Sequence, residues 1–298
     1  MRPDEWRAKG TTVKLPEWKV FALEEGARRG ADVLLLHGFP TSSWDFAKLV
    51  PLLSGRRRVV TFDFMGFGFS EKPAEFGYTL FEQADVALAV AKALGVERAH
   101  VVAHDMGTSV ATELLARREQ GLSPLEIESL TLMNGSVHME LVSLTVGQRI
   151  LKSPLGPLFA RVSNARSFAV QIRRILAKPV ADEELAAMWE LLAREDGALR
   201  LPAIIDYTRQ RVRHARRWIG ALERLDLPAM VAWGKKDPVA VYSIAERLAR
   251  EIPNARFETW EDLGHYPQVE DPEAVARTLE SFFTEVDARA LAKRSRRA

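Results

Sequence analysis

The residue with the clearest chemical meaning is Asp105, which stands between an apolar run and a helix-like pattern. The apolar run ends at Ala103, Gly107 follows the aspartate, and the helical pattern begins at Thr108. Small residues on both sides let the backbone turn sharply, which predicts a strand, a tight turn and a helix. The Asp105 carboxylate would then lie at the carboxyl end of the strand. Such a carboxylate can displace a leaving group at a saturated carbon, and the product is an ester with the protein itself.

Water must attack that ester before product leaves, so the chain must also supply a base and an acid that orients the base. Asp237 follows the predicted strand 229–233, and His265 follows the predicted strand 256–260. His265 must be neutral to take a proton from water, and the usual histidine pKa of about 6.5 allows this at neutral pH. Asp237 is predicted to hold the ring in the correct tautomer. We therefore predict that Asp105, Asp237 and His265 are the nucleophile, the orienting acid and the base.

The ester carbonyl also needs hydrogen-bond donors for the negative charge that develops on its oxygen. An apolar run ends in residues 37–40, His-Gly-Phe-Pro. Taken alone, this motif also fits an ordinary Gly-Pro turn after a strand. Together with the Asp105 turn it favours an oxyanion hole formed by the backbone N–H groups of Phe39 and Met106.

Alternating strand and helix patterns must position these residues. Residues 1–30 predict an early β-hairpin, and residues 44–53 predict a helix. Later buried strands are predicted at residues 31–36, 58–62, 127–133, 229–233 and 256–260, with another leading into Asp105. This alternation predicts an α/β fold in which a mostly parallel sheet carries helices on both faces.

The alternation stops between two of the predicted strands. From about residue 137 to residue 225 the sequence predicts helices and no strand, with several prolines between them. We therefore predict a core domain formed by residues 1–135 and 227–298, and an all-helical lid formed by residues 136–226. Such an insertion would cover the carboxyl edge of the sheet, shape the substrate pocket and exclude water.

Composition excludes several classes of protein. The 298 residues carry 42 basic and 40 acidic side chains, a balance that argues against nucleic acid as the main partner. The basic run 293–297 is interpreted as a solvated tail. The absence of cysteine excludes disulfides, cysteine-ligated metals and a thiol nucleophile. No segment predicts a signal peptide or a membrane span, so we expect a cytoplasmic protein. The oligomeric state is left open, a homodimer included.

The motifs resemble one branch of a known superfamily. Residues 104–107 form a His-Asp-X-Gly turn, which is typical of the α/β-hydrolases with an aspartate nucleophile, the epoxide hydrolases and haloalkane dehalogenases. A closer resemblance is to the family of the mesoderm-specific transcript protein and its bacterial relatives. The segments that carry it are residues 37–43, 63–64, 66–70, 81–84, 216–218, 220–222, 237–239, 265–268 and 270–272. The resemblance covers nearly the whole chain and implies the α/β-hydrolase fold, but it brings no assigned substrate.

The resemblance also helps to choose between two reactions. Haloalkane dehalogenases bind the departing halide with a Trp after the nucleophile and an Asn or Trp after His-Gly, where this chain has Met106 and Phe39. Epoxide hydrolases commonly carry His-Gly-Phe-Pro, as here, although most have Trp in place of Met106. They also use lid tyrosines to protonate the epoxide oxygen. The lid residues proposed for this role are Tyr207 first, and then His138 and Trp218.

These observations predict a hydrolase that needs no cofactor and no metal. Its expected substrates are water and a small apolar electrophile, with an epoxide ranked before a haloalkane. Hydrolysis of carboxylic esters or lipids, and ligand binding without catalysis, remain as alternatives.

Overall fold

A computed structural model describes residues 1–135 and 137–295 of the chain, with side chains up to residue 292. The described residues form one eight-stranded sheet. Its strands are β1 (Thr11–Lys14), β2 (Lys19–Glu25), β3 (Asp32–Leu36), β4 (Val59–Phe62), β5 (Arg98–His104), β6 (Glu126–Met133), β7 (Ala229–Gly234) and β8 (Arg256–Trp260). Their order in the sheet is β1-β2-β4-β3-β5-β6-β7-β8. The pairs β1/β2 and β2/β4 are antiparallel and the others are parallel, which confirms the predicted mostly parallel sheet.

Helices connect the strands and pack against the sheet. They are α1 (Pro3–Lys9), α2 (Leu49–Ser54), α3 (Leu80–Ala93), α4 (Met106–Glu119), α5 (Val146–Leu151), α6 (Gly156–Val162), α7 (Ala165–Arg173), α8 (Asp182–Ala193), α9 (Leu201–Ile204), α10 (Tyr207–Arg213), α11 (Ala215–Glu223), α12 (Tyr242–Glu251), α13 (Pro267–Glu270) and α14 (Pro272–Ser295). Short 3₁₀ stretches cover Ser43–Phe46 and Arg194–Arg200. None of the described helices is long and apolar enough to cross a membrane.

The central strands are apolar because they are covered on both sides. Every residue of β3, β4 and β7 is buried. Parallel strands covered by helices on both faces favour continuous Val, Leu and Ile runs over alternation of apolar and polar residues. The apolar runs that predicted these strands therefore reflect their position in the middle of the sheet.

Two local predictions need correction. The predicted hairpin is present as β1 and β2, but helix α1 precedes it, because Pro3 begins the helix and the Glu5 carboxylate accepts hydrogen bonds from the Arg2 backbone N–H and side chain. The Trp6 side chain of α1 is buried and donates a hydrogen bond to Ser43 Oγ. The single helix predicted over 44–53 is instead a 3₁₀ turn followed by α2.

All regular secondary structure described between β6 and β7 is helical. Its described residues form helices α5 to α11 and contain no strand. Helix α5 packs against α6, α7 packs against α8, and α11 packs against α4. This segment corresponds to the predicted lid.

Strand order brings the functional loops together. The carboxyl ends of β3, β5, β6, β7 and β8 are neighbours at one edge of the sheet. The chain order reverses between β3 and β5, which pair with each other although β4 lies between them in sequence. Crevices at such switch points are where open α/β sheets bind ligands.

Candidate active site

Asp105 lies in a strained turn between β5 and α4. Its φ of 47° and ψ of −111° lie in a region that side chains with a Cβ rarely adopt. Glycines hold the neighbouring backbone close. A Cβ on Gly107 would lie 2.5 Å from the Leu36 carbonyl oxygen, and a Cβ on Gly135 would lie 2.5 Å from Asp105 Cα. The sequence pattern identified Gly107 but missed Gly135, which reaches the turn from the end of β6.

One carboxylate oxygen of Asp105 accepts a hydrogen bond from Phe39, one of the two predicted oxyanion-hole donors. The Phe39 N–H, in the loop after β3, donates a 2.8 Å hydrogen bond to Asp105 Oδ1. Met106 is the first residue of α4, where backbone N–H groups have no acceptor within the helix. The positive end of the helix dipole also favours negative charge here. The turn can therefore stabilise an oxyanion at Oδ1.

His265 lies between two carboxylates at the same edge. Its Nε2 is 3.7 Å from Asp105 Oδ2, and its Nδ1 is 2.7 Å from Asp237 Oδ2. All three side chains are buried, with exposed fractions of 4% for both aspartates and 2% for His265. The structure thus brings together the three residues that the sequence analysis selected.

The two carboxylates change the protonation of His265 from that of an isolated histidine. Burial lowers the pKa of His265, but the charge and hydrogen bond of Asp237, followed by the charge of Asp105, outweigh it and raise the pKa to about 9. At that pKa the ring is an imidazolium at neutral pH. The pKa of an isolated histidine, on which the sequence argument relied, does not include these neighbouring charges.

Two neighbouring histidines show the opposite shift. Burial lowers the pKa of His104 to about 4 and that of His37 to about 3, so both rings are neutral. His104 Nε2 lies 2.7 Å from the His265 carbonyl oxygen and donates to it. This bond fixes the backbone that carries the His265 ring.

Asn134, which the sequence analysis missed, holds Asp237 in place. The Asn134 side-chain amide donates 2.8 Å to Asp237 Oδ2, and its oxygen accepts 2.9 Å from the Gly234 N–H. Asp237 Oδ1 accepts from the N–H groups of Val239 and Ala240 at 2.7 and 3.0 Å. Asn134 follows the end of β6, and β6 pairs with β5, the strand that leads into Asp105. This strand order was the signal that could have placed Asn134 at the site.

Tyr207 is the predicted lid residue that lies beside this group. Its ring centroid is 5.7 Å from that of Phe39, and the Arg211 guanidinium lies 4.6 Å above the Tyr207 ring. Burial and then the charge of Asp105 raise the pKa of Tyr207, so the hydroxyl keeps its proton. Arg211, also missed from the sequence, donates to the Asp105 carbonyl oxygen at 3.1 Å and to Ser109 Oγ at 2.8 Å.

The other two predicted lid residues are held elsewhere. Trp218 donates from Nε1 to Glu113 Oε2 at 2.9 Å, about two turns of α4 beyond Asp105. His138 Nε2 lies 2.6 Å from Glu251 Oε2, at the end of α12. These partners account for the positions of both side chains, and a role for either residue in substrate binding stays a prediction.

A small cavity lies between the sheet edge and the lid. Its volume is about 60 Å³. Phe39, Pro40, Val239 and His265 line its core side, and the lid contributes mainly apolar side chains. The lid residues are Thr145, Gln148, Leu151, Phe159, Ser163, Ser167, Phe168, Gln171, Ile172, Ile175, Trp189, Leu192 and Leu201. Drug-sized ligands occupy roughly 300–1,000 Å³, so a substrate of that size requires the lid helices to move.

The described side chains form no cluster suited to a metal ion. Within residues 1–135 and 137–295, no group of three or more His, Asp or Glu side chains is arranged to hold one.

Comparisons with known proteins agree with this geometry. Residues 33–272 match the family described as the alpha/beta hydrolase fold. LipZ of Mycobacterium tuberculosis, named as a candidate hydrolase, is 42% identical over 284 residues, which cover 94% of this chain and 98% of LipZ. The human mesoderm-specific transcript homolog protein is 35% identical over 280 residues, covering 90% of this chain and 83% of that protein. The resemblance stated from the motifs is confirmed.

Solved structures share the architecture at lower identity. The haloalkane dehalogenase DbeA from Bradyrhizobium elkani has a TM-score of 0.81, covers 94% of this chain and 99% of its own, and is 23% identical. At that identity the likeness concerns the fold. Because the family match spans most of the chain and two relatives exceed 30% identity across nine tenths of it, the protein belongs to the α/β-hydrolase fold family, as a hydrolase of that type.

Proposed function

We propose that this protein hydrolyses epoxides to diols through a covalent ester on Asp105. The proposal rests on one observation. Asp105 Oδ1 accepts the Phe39 N–H, while Oδ2 is 3.7 Å from His265 Nε2. The two oxygens therefore have different surroundings: Oδ1 is suited to be the ester carbonyl oxygen, and Oδ2 is suited to attack substrate.

In the first step, Asp105 Oδ2 attacks one carbon of the epoxide ring. The new C–O bond forms as the ring C–O bond breaks, and the released oxygen takes a proton from the Tyr207 hydroxyl. Support for Tyr207 comes from its position against Phe39 and its raised pKa, which comes from burial and from the Asp105 charge and keeps the proton available. A buried, preorganised donor strengthens this step because water does not compete with it.

Ester formation then changes the charge on His265. The Asp105 carboxylate becomes neutral, so one of the two charges that raise the pKa of His265 to about 9 is lost. The pKa of His265 falls, and the imidazolium gives up its proton, which restores the Tyr207 hydroxyl. In this proposal the first step itself produces the neutral base that the second step needs.

In the second step, His265 Nε2 takes a proton from water as the water oxygen attacks Asp105 Cγ. Negative charge develops on Oδ1 and is stabilised by the N–H groups of Phe39 and Met106; removal of one such donor typically costs about 3–4 kcal/mol. The Cγ–Oδ2 bond breaks, and the leaving diol oxygen takes the proton that His265 had accepted from water. The water oxygen remains on Asp105 as a carboxylic acid, which gives the second water proton to His265 and so restores the carboxylate and the imidazolium. Asp237, held by Asn134, keeps the His265 ring oriented.

The test is the intact mass of the His265→Gln variant after incubation with pooled epoxides and, separately, with pooled haloalkanes. Without the base, the ester on Asp105 accumulates. We expect a mass increase equal to one whole epoxide, and no increase in the double variant that also carries Asp105→Asn. Peptide mapping should locate the addition to Asp105.

Each other outcome favours a different reaction. An alkyl adduct formed only with haloalkanes would replace the proposal with dehalogenation. If neither pool gives an adduct but the Asp105→Ser variant increases hydrolysis of carboxylic esters, ester chemistry is favoured. Tight ligand binding without turnover, unchanged in Asp105→Asn, would identify a binding protein.

A further inference from the structure

One stretch of the lid carries an excess of positive charge. Residues 141–178 contain seven of the 42 Lys and Arg residues and none of the 40 Asp and Glu residues. Arg173 pairs with Asp182, and Lys178 pairs with Asp271. Four further arginines are exposed, and no ion pair involves them in the part of the chain that the structure describes; they are Arg149, Arg161, Arg166 and Arg174. Uncompensated cations of this kind attract an anionic partner.

The same stretch exposes large aliphatic side chains. Among the described residues, seven large apolar side chains are more than 60% exposed, and four of them lie within 141–178. These four are Val146, Leu155, Leu158 and Val162, at 65%, 63%, 61% and 61%. Leu158 and Val162 are one turn apart on α6, and Leu155 immediately precedes that helix, so the three form one ridge. Single exposed apolar residues are ordinary, but a cluster marks an interaction surface.

An open groove runs through this surface toward the small cavity beside His265. Its volume is about 680 Å³, and Val146, Val170, Arg166 and Arg174 are among its lining residues. Several residues line both the groove and the cavity beside His265: Thr145, Phe159, Ser167, Gln171, Ile175 and Val239. A thin wall of side chains therefore separates the exposed lid surface from the candidate active site.

We propose that the surface formed by residues 141–178 docks on an anionic phospholipid bilayer. The exposed arginines would contact lipid phosphates, and the ridge on α6 would enter the boundary between headgroups and acyl chains. Membrane-surface segments combine these two features, apolar side chains together with Lys and Arg. The groove would then open toward the acyl chains, from which an apolar substrate reaches the cavity without crossing water.

A bilayer fits both features of the surface, whereas other anionic partners fit one. A nucleic acid would match the arginines but leave the aliphatic ridge in water. An anionic bilayer supplies a plane of negative charge directly above an apolar layer. The inference does not depend on which bond is broken at Asp105, so the two proposals can fail separately.

The test is co-sedimentation of the full-length protein with vesicles of phosphatidylcholine alone and with vesicles that also contain phosphatidylglycerol. We expect binding to the anionic vesicles, weaker binding at higher salt and little binding to the neutral ones. Each basic residue near such a surface strengthens binding about fivefold. The triple variant Arg149→Gln, Arg161→Gln and Arg174→Gln should therefore bind about 100-fold more weakly.

Matched variants separate this surface from general charge and hydrophobicity. The charge control replaces Arg29, Arg56 and Arg250, which are exposed arginines outside the surface, with glutamine. For the apolar ridge, Leu158→Ser with Val162→Ser is compared with Leu122→Ser and Val212→Ser, whose side chains are each 65% exposed elsewhere. Thermal unfolding checks that every variant is folded. The ridge variant should weaken binding and both controls should not.

Four results would overturn the proposal. Equal binding to neutral and anionic vesicles would remove the role of charge, and no binding to either would remove the bilayer. Equal losses in the control variants would show that the surface is not specific. If sedimentation without lipid shows a dimer that the ridge variant dissociates, a second copy of the chain covers this face instead.

Discussion

The carboxyl edge of the sheet and the lid above it are built by different rules. At the edge, backbone groups, short hydrogen bonds and absent Cβ atoms determine each position, as with Asp105 against Gly107 and Gly135. The lid consists of short helices whose side chains meet around the cavity and leave a groove open. The contrast teaches that close backbone contacts fix the positions of the proposed catalytic groups, whereas side-chain packing between short helices shapes the cavity and the groove. Variants in the two regions should therefore have effects of different size and kind.

The largest expected effect is that of Asp105→Asn. Removal of the proposed nucleophile should lower kcat by roughly 10³-fold or more, in the range found for residues that act as one catalytic unit. Thermal unfolding should change little, because the amide oxygen can still accept the Phe39 N–H. The loss in kcat is measured as steady-state turnover of the substrate found in the mass assay. A variant with near-normal kcat would contradict the proposed nucleophile.

Alanine substitutions at two glycines test whether the two regions differ in their effect on the free energy of unfolding. A Cβ on Gly135 would press on the backbone of Asp105, which cannot move, so Gly135→Ala should lower the free energy of unfolding by about 3 kcal/mol. A Cβ on Gly147, in α5, would meet the end of the flexible Gln171 side chain, so Gly147→Ala should cost less than about 1 kcal/mol. Denaturant unfolding of both variants checks this; similar losses would mean that the lid is as rigid as the edge.

The charge of His265 can be followed by NMR titration of its ring. In the wild type, the charges of Asp237 and Asp105 hold the pKa of His265 at about 9 against the effect of burial. Asp105→Asn removes one charge and should lower that pKa. An unchanged pKa would mean that Asp105 does not act on the ring, and the proposed coupling of the two steps would fail.

The same shift predicts how stability depends on pH. The pKa of His265 is raised on folding, so its contribution to stability is complete below the ordinary histidine value and is lost as pH rises through about 9. The free energy of unfolding should therefore fall over that range in the wild type. Asp105→Asn should show a smaller fall, measured by denaturant unfolding at a series of pH values.

The smallest effect is expected for a conservative change in the lid. Phe168 is buried at the cavity and packs against Trp189. Phe168→Leu should change KM and the preferred substrate size by no more than about tenfold, with kcat nearly unchanged, because it alters uniform binding alone. A kcat loss as large as that of Asp105→Asn would remove the distinction between the two regions.

Local patterns in the sequence were sufficient for the fold and for three of the site residues. Apolar runs identify buried parallel strands because burial on both faces selects for them, and the turn at Asp105 is readable because its small residues are adjacent in sequence. Asp237 and His265 each follow a strand, so strand positions alone predict that they share one edge. The helix at residues 3–9 was missed because its signals are short and local to the N-terminus.

Tertiary structure decided what depends on residues distant in sequence. The site is supported by residues that lie far in sequence from the groups they contact, namely Asn134, Gly135 and Arg211. No spacing pattern in the sequence links them to the site. Tertiary structure also distinguished two of the lid residues proposed from the sequence. Tyr207 lies beside Phe39 near the site, whereas Trp218 donates a hydrogen bond to Glu113. The charge of His265 also depends on residues distant in sequence, because its pKa is determined by burial and by neighbouring charges in space. Sequence alone therefore determined the fold and the type of chemistry, and the packing of distant segments determined the protonation state, the supporting contacts and the path to the site.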